Sequence, residues 1–128
     1  MVVLALNFRD GPTSIREIAQ REKISPQYLE QIFLDLRKAE LVSSVRGARG
    51  GYKLARSPSE IKIGDVVRAL EGPIAPMECV AEGSEASCCE RTQECLTRGV
   101  WEKLRDRMNE VLDDITLEDM ISSRNINN

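Results

Sequence analysis

Residues 25–36 read Ser25-Pro26-Gln27-Tyr28-Leu29-Glu30-Gln31-Ile32-Phe33-Leu34-Asp35-Leu36. Ser25 is a favoured N-cap residue, and Pro26 suits the first position of a helix because no N–H donor is needed there. From Leu29 onward, apolar residues recur at i, i+3, i+4 and i+7, which predicts a helix with one buried face. The opposite face is polar and carries Gln27, Tyr28, Glu30 and Gln31.

A shorter helix is predicted just before this one. Ser14 and Glu17 have the spacing of a capping box, and Ile15, Ile18 and Ala19 supply an apolar face. A turn over residues 22–24 separates the two helices, so the sequence predicts a helix-turn-helix. The second helix of such a unit reads base edges in DNA, but its polar face is equally that of an ordinary solvated helix.

A β-hairpin is predicted after the helix-turn-helix. Residues 41–45 and 52–55 are short strand-like runs around the turn Arg46-Gly47-Ala48-Arg49-Gly50-Gly51. Residues 42–56 contain four basic residues and no acidic one. A basic hairpin in this position is typical of the wing of a winged helix, where arginine favours a narrow minor groove. A solvated hairpin is the plain alternative, and a nucleotide-binding loop is disfavoured because no Walker or dinucleotide fingerprint is present.

The four cysteines lie together in one acidic stretch. They are Cys79, Cys88, Cys89 and Cys95, in a chain that has no histidine. Clustered thiols in a loop with few large apolar residues indicate a bound metal or cluster, or redox chemistry. We expect such a loop to be ordered by its ligand.

Composition and charge narrow the classes further. The chain has 128 residues and a net charge of −3, with +3 on residues 1–72 and −6 on residues 73–128. No apolar run is long enough to span a bilayer, and the first residues lack the features of a signal peptide. We therefore expect a cytoplasmic protein with reduced thiols. No enzyme is predicted, because the chain lacks a histidine base, a nucleophile–base pair and a phosphate loop.

The C-terminal third predicts a long helix. From Leu96 onward an apolar stripe continues through Val100, Leu104, Met108, Val111 and Ile115. A helix of this length on so small a domain favours a homodimer interface, although part of the stripe can pack on its own subunit. Thr116 and Asp119 resemble the cap of a short helix ending near Ile121, with a frayed polar tail from Ser122 onward.

The predicted fold is mostly α with a small β-hairpin. A winged helix-turn-helix covers residues 1–72, a cysteine-bearing cluster-binding loop covers 73–95, and a dimerisation helix and tail cover 96–128. A helix beginning near Gly64 and ending at Gly72 closes the first of these units.

These motifs resemble the winged-helix regulators that include IscR, NsrR and CymR. The resemblance runs almost end to end and is most specific over residues 25–33, 41–47 and 50–52, while residues 95–101 and 115–117 resemble the IscR branch. It implies a homodimer on double-stranded DNA, with no membrane and no small-molecule substrate. The implied DNA-contacting residues are Ser25, Gln27, Tyr28, Glu30, Gln31, Arg46, Gly47 and Arg49. The chain begins partway through the family's first helix.

For the cysteines, the resemblance implies a 2Fe-2S cluster held by Cys79, Cys89 and Cys95. In the IscR branch the fourth ligand is a histidine, but that position is Arg98 here, and guanidinium cannot ligate iron. Cys88 is the leading local candidate for the fourth ligand, with Glu78 and Glu90 as carboxylate alternatives. NsrR-like proteins hold a 4Fe-4S cluster, which is less favoured here, as is structural zinc.

Three functions follow from these observations. The leading one is a transcriptional regulator whose promoter binding is controlled by an iron–sulfur cluster that senses cluster status, oxygen or nitric oxide. The alternative is a CymR-like repressor without a cluster, controlled by a partner protein. A small iron–sulfur electron carrier is the third, and it leaves the winged helix without a role.

Overall fold

A computed structural model describes the backbone of residues 1–84 and 94–126 and the side chains through Ser123. The elements follow the order α1 (Val2–Leu6), α2 (Ile15–Glu22), α3 (Pro26–Lys38), β1 (Val42–Val45), β2 (Gly51–Leu54), α4 (Ile63–Glu71), α5 (Arg98–Asp114) and α6 (Leu117–Ile126). Short 3-10 turns lie at Pro58–Glu60 and Glu78–Val80. The described part of the chain is thus mostly helical with one antiparallel hairpin, as the sequence predicts.

The helix-turn-helix is held by the two predicted caps. The Ser14 hydroxyl accepts a hydrogen bond from the Glu17 amide at 3.2 Å, and the Ser25 hydroxyl accepts one from the Tyr28 amide at 3.2 Å. Between the helices, Lys23 adopts a left-handed conformation with φ of 55°. This turns the chain sharply enough for α3 to begin at Pro26 and to present its apolar side to the core.

The hairpin of β1 and β2 pairs antiparallel, with register from Val42 opposite Leu54 to Val45 opposite Gly51. A third segment, not predicted from the sequence, joins it at Thr13. The Thr13 amide donates to the Tyr52 carbonyl at 2.9 Å, and the Tyr52 amide donates to the Thr13 carbonyl at 2.8 Å. The part of β2 next to the hairpin turn is therefore tied to the loop before α2.

One apolar core joins the beginning and the end of the chain. Leu36 of α3, Leu41, Ile61 and Leu117 of α6 are each no more than 1% exposed. All four belong to one cluster that also contains the buried residues of α1. The core therefore joins the last helix to the helix-turn-helix and the hairpin, and the three-part division of the chain stays a prediction.

The C-terminal helices differ from the prediction at two points. First, α5 begins at Arg98 rather than at Leu96, whose side chain is 99% exposed. The chain turns at this point, since the Arg98 amide donates to the Cys95 carbonyl and Thr97 takes the N-cap position.

Second, α6 continues to Ile126 instead of ending near Ile121 with a frayed tail. The predicted cap is confirmed, because the Thr116 amide donates to the Asp119 carboxylate at 2.9 Å and the Asp119 amide donates to the Thr116 hydroxyl at 3.1 Å. Packing of Leu117 and Ile121 against the core anchors the first two turns of this helix. Within the described ranges, no helix is long and apolar enough to cross a bilayer.

Candidate nucleic-acid interface and cysteine segment

The second helix of the helix-turn-helix, α3, presents the expected polar face to solvent. Leu29, Phe33 and Leu36 are at most 4% exposed, whereas Tyr28 is 62% exposed. The polar residues of the candidate interface on this helix, Gln27, Glu30 and Gln31, are exposed as well. Ser25 uses its hydroxyl oxygen as the N-cap acceptor, which leaves the hydroxyl hydrogen free to donate to a phosphate.

Sequence reasoning missed Leu34 on this face. Its side chain is 45% exposed, although it is a large aliphatic residue within an amphipathic helix. Leu34 lies four positions after Glu30 and three after Gln31, so it shares their side of the helix. The helical period alone places it opposite the buried face, and apolar side chains there can contact the methyl group of thymine.

The hairpin tip is exposed and basic, as predicted. Arg46, Gly47 and Arg49 are all exposed, and Gly47 has a φ of 114°, which a residue with a side chain rarely adopts. The Gly50 amide donates to the Gly47 carbonyl at 3.0 Å and closes the turn. The tip therefore presents two guanidinium groups on a tight loop.

An aromatic pair holds the hairpin against α3. The rings of Phe33 and Tyr52 stack with centroids 4.4 Å apart and an angle of 21° between their planes. Phe33 belongs to α3 and Tyr52 to β2, so the stack sets the position of the wing relative to the helix. Such pairs contribute roughly 0.5–1.5 kcal/mol beyond their buried area. The helix face and the basic tip are thereby placed as one surface.

Two of the four cysteines lie in the part of the chain that the structure describes. Cys79 sits in the turn Glu78–Val80, and Cys95 lies three residues before α5; both are half-buried free thiols. Cys88 and Cys89, together with Glu90, lie outside the described residues. Within the described ranges, no three potential ligands converge on one point.

The chemistry of the Cys95 thiol suits a metal or cluster ligand. The pKa of the Cys95 thiol lies below its ordinary value, chiefly because the Thr97 hydroxyl, 3.2 Å from the sulfur, can donate to the thiolate. The thiolate is the form that binds metals, and thiolates are the usual ligands of iron–sulfur clusters. Arg98, at the IscR histidine position, is engaged elsewhere, since its Nε donates to the Glu102 carboxylate at 2.9 Å.

The long helix α5 leaves its apolar stripe uncovered in the single chain. None of its 17 residues is buried, and Val100, Leu104 and Val111 are 60%, 43% and 57% exposed. Leu104, Met108, Val111 and Leu112 border an open apolar groove of about 400 Å³. A contiguous exposed apolar surface of this kind marks an interaction site.

Comparison with known proteins shows which family shares this architecture. The family model of Rrf2, described as an iron-dependent transcriptional regulator, matches residues 1–123. CymR of Bacillus subtilis is 44% identical over 122 residues, covering 95% of this chain and 81% of CymR. IscR of Escherichia coli is 38% identical over 126 residues, covering 98% of this chain and 75% of IscR.

A solved structure agrees with these sequence comparisons. The structure of IscR from T. potens superposes with a TM-score of 0.76 at 43% identity, covering 96% of this chain and 78% of that one. The predicted winged-helix fold and the predicted resemblance are confirmed, and so is the expectation that the protein is not an enzyme, since the family and these relatives are transcriptional regulators. The chain belongs to the Rrf2 family of transcriptional regulators.

Proposed function

We propose that this regulator reads DNA as a homodimer, with α3 in the major groove and the hairpin tip beside it. The observation that carries the proposal is the joint placement of two surfaces. The polar face of α3 and the basic tip are exposed, and the Phe33–Tyr52 stack joins them. Glutamine pairs with adenine and glutamate accepts from cytosine, so Gln31 and Glu30 supply base readout. Ser25, Arg46 and Arg49 supply contacts to the phosphates and the minor groove.

The dimer part of the proposal is supported by α5. A helix with an exposed apolar stripe through Val100, Leu104 and Val111 is incomplete as a monomer surface. A symmetric pairing covers the same stripe on both subunits and places two copies of α3 on one face of the DNA. Because transcription regulators act where the DNA is, we place the protein in the cytoplasm.

Substitutions on α3 test the base readout. Glu30→Ala and Gln31→Ala are each expected to change sequence preference by about 1–3 kcal/mol at one base position. Arg46→Ala is expected to weaken binding more evenly across sequences, because phosphate contacts carry little base information. The measurement is a binding-site selection from random DNA. Glu118→Ala, an exposed glutamate on α6, is the matched control. Unchanged preference in both α3 variants would contradict the assignment of α3 as the reading helix.

Two modes of control have separate support. In the first, Cys79, Cys89 and Cys95 hold an iron–sulfur cluster, 2Fe-2S rather than 4Fe-4S, with Cys88 as the fourth ligand. The clustering of the thiols, the lowered pKa of Cys95 and the iron-dependent family description support this mode. When bound, the cluster supplies redox and ligand-exchange chemistry to the segment that carries Cys79 and Cys95.

In the second mode, no cluster is bound and a partner protein controls DNA binding, as in a CymR-like repressor. The comparisons support this mode better than the first. Identity is 44% with CymR and 38% with IscR, and the IscR histidine position holds Arg98, which is paired with Glu102. CymR of B. subtilis is described as a global cysteine regulator, so genes that respond to cysteine are the matching target class.

Anaerobic purification separates the two modes. The cluster mode predicts visible charge-transfer absorption together with iron and acid-labile sulfide in equal amounts. Cys89→Ser and Cys95→Ser are then expected to lose both. Cys88→Ser tests the fourth ligand: loss of iron and sulfide supports Cys88 in that role, and retention makes Cys88 a bystander. Colourless protein with neither metal nor sulfide supports the second mode. Stoichiometric zinc without sulfide would contradict both and favour a structural zinc site.

A further inference from the structure

A row of three polar residues on α5 connects the cysteine segment to the DNA-binding unit. Arg105, Asn109 and Asp113 recur every four residues, so they share one face of the helix. This face is not the apolar stripe, and the three side chains are half-buried between α4 and residues 74–82. We call Arg105, Asn109 and Asp113 the polar ladder.

Two residues of the polar ladder, Arg105 and Asn109, bind the segment that carries Cys79. Arg105 Nη1 donates to the Val80 carbonyl at 2.9 Å, and Asn109 Nδ2 donates to the Ile74 carbonyl at 3.0 Å. Val80 is 1% exposed and Ile74 is 8% exposed, so both carbonyls belong to anchored residues. Since Cys79 directly precedes Val80, movement of the Cys79 turn acts directly on the Arg105–Val80 bond, and it reaches the Asn109–Ile74 bond through residues 75–78.

Asn109 and Asp113 of the polar ladder bind α4 through Arg68. The guanidinium of Arg68 donates to both oxygens of Asp113, each at 2.8 Å, and its Nη2 also donates to the Asn109 oxygen at 2.6 Å. The two groups stabilise each other's charged form, which raises the pKa of Arg68 and lowers that of Asp113. Gly64 permits this approach of the helices, because a Cβ there would collide with the Asp113 carboxylate.

Asn109 takes part in both sets of hydrogen bonds and so forms the junction between the cysteine segment and α4. Its oxygen accepts from Arg68, and its Nδ2 donates to the carbonyls of Ile74 and Arg105. Both ends of the amide are therefore engaged, one with α4 and the other with the cysteine segment. Beside it lies an open cavity of about 800 Å³, which leaves the Arg68 side chain room to move when the junction breaks.

We propose that Asn109 is a positioning residue that transmits the state of the Cys79 turn through Arg68 to α4. The inference rests on the proposed control by the cysteine segment and holds for either mode of that control. α4 in turn packs on α3, and its Val66 and Ala69 lie against the core that contains Leu29 and Phe33. A shift of the Cys79 turn removes the Asn109–Ile74 bond and weakens the hydrogen bond from Arg68 to Asn109. The position of the reading helix α3 then changes, because α4 packs against it. If the polar ladder only stabilised the fold, modification of Cys79 would leave the DNA affinity unchanged.

The test modifies Cys79 alone. In a full-length protein carrying Cys88→Ser, Cys89→Ser and Cys95→Ser, methyl methanethiosulfonate converts the one remaining thiol to a methyl disulfide, and dithiothreitol reverses it. DNA affinity is measured by fluorescence anisotropy on the selected site, before modification, after it and after reversal. We expect modification to change the affinity reversibly by about fivefold or more. Asn109→Leu is expected to reduce that change to less than about twofold, whereas Lys103→Ala, exposed on α5 and outside the ladder, retains it in full.

Two outcomes overturn the proposal. One is an unchanged affinity on modification of the parent, and the other is an equal change in the parent and in Asn109→Leu. Should Asn109→Leu not fold, Arg105→Met removes the bond to the Val80 carbonyl together with the exposed pair with Asp106, and the same limit of about twofold applies to it. Should the unmodified parent bind no DNA, hydrogen exchange of the α4 amides replaces affinity, with the same expected dependence on Asn109. Failure of the wild-type protein to bind any DNA would instead overturn the proposed function.

Discussion

Leu104→Glu is expected to convert the proposed dimer to monomers and to abolish tight DNA binding. Leu104 lies in the middle of the exposed stripe on α5 and borders its apolar groove. In a symmetric interface the substitution appears twice, and an uncompensated buried charge costs about 3–5 kcal/mol each time. Few interfaces between chains of this size withstand such a loss. Sedimentation velocity at micromolar concentration measures the assembly, and anisotropy measures the accompanying loss of DNA affinity.

Lys103→Glu is the matched control, because it introduces the same side chain one position away on the solvent side of α5. It is expected to sediment like the wild type. Circular dichroism of both variants separates dissociation from unfolding. A wild-type protein that sediments as a monomer at micromolar concentration would refute the proposed interface without any variant.

Gly51→Ala is expected to cause a large loss of stability through a single added methyl group. Gly51 begins β2 with a φ of 155°, and a Cβ there would collide with the Thr13 carbonyl and the Ser14 nitrogen. Both are backbone atoms, so neither can rotate away. The change therefore breaks the two hydrogen bonds between Thr13 and Tyr52 and displaces the stack on Phe33. We expect a loss of at least about 3 kcal/mol in the free energy of unfolding, measured by urea denaturation.

Gly47→Ala provides the comparison. Gly47 also has a positive φ, of 114°, but an added Cβ meets no atom within 4 Å. It is expected to cost only the backbone strain, on the order of 1–3 kcal/mol. The difference between the two variants isolates the collision with Thr13. Equal losses in both variants would contradict the predicted collision of a Cβ at position 51 with Thr13.

Local signals explain why the DNA-binding unit could be predicted from the sequence. The caps at Ser14 and Ser25 and the period of the apolar residues on α3 depend on neighbours within a few positions. The glycines and arginines of residues 46–51 mark the hairpin in the same way. These features would predict the same elements in almost any tertiary setting.

Long-range contacts could not be predicted in this way. Arg68 and Asp113 are 45 positions apart, and each looks like an ordinary exposed charge in its own helix. The pairing of Thr13 with Tyr52 likewise joins segments far apart in the sequence, and the burial of Leu117 depends on packing against residues from the first half of the chain. No local pattern carries such information, because tertiary packing overrides propensity at these positions.

The C-terminal end of α5 is pinned to the DNA-binding unit by backbone pairing. The Ile63 amide donates to the Ile115 carbonyl at 2.9 Å, and the Leu117 amide donates to the Ile61 carbonyl at 3.0 Å. In the proposed dimer, α5 lies at the two-fold axis, so these bonds hold each reading helix at a constant offset from that axis. The two reading helices of the proposed dimer are then a fixed distance apart, and this distance sets the spacing of the half-sites in the operator. One base pair inserted between the half-sites shifts them by about 3.4 Å and rotates them by about a tenth of a turn. A rigid dimer then binds only one half-site at a time.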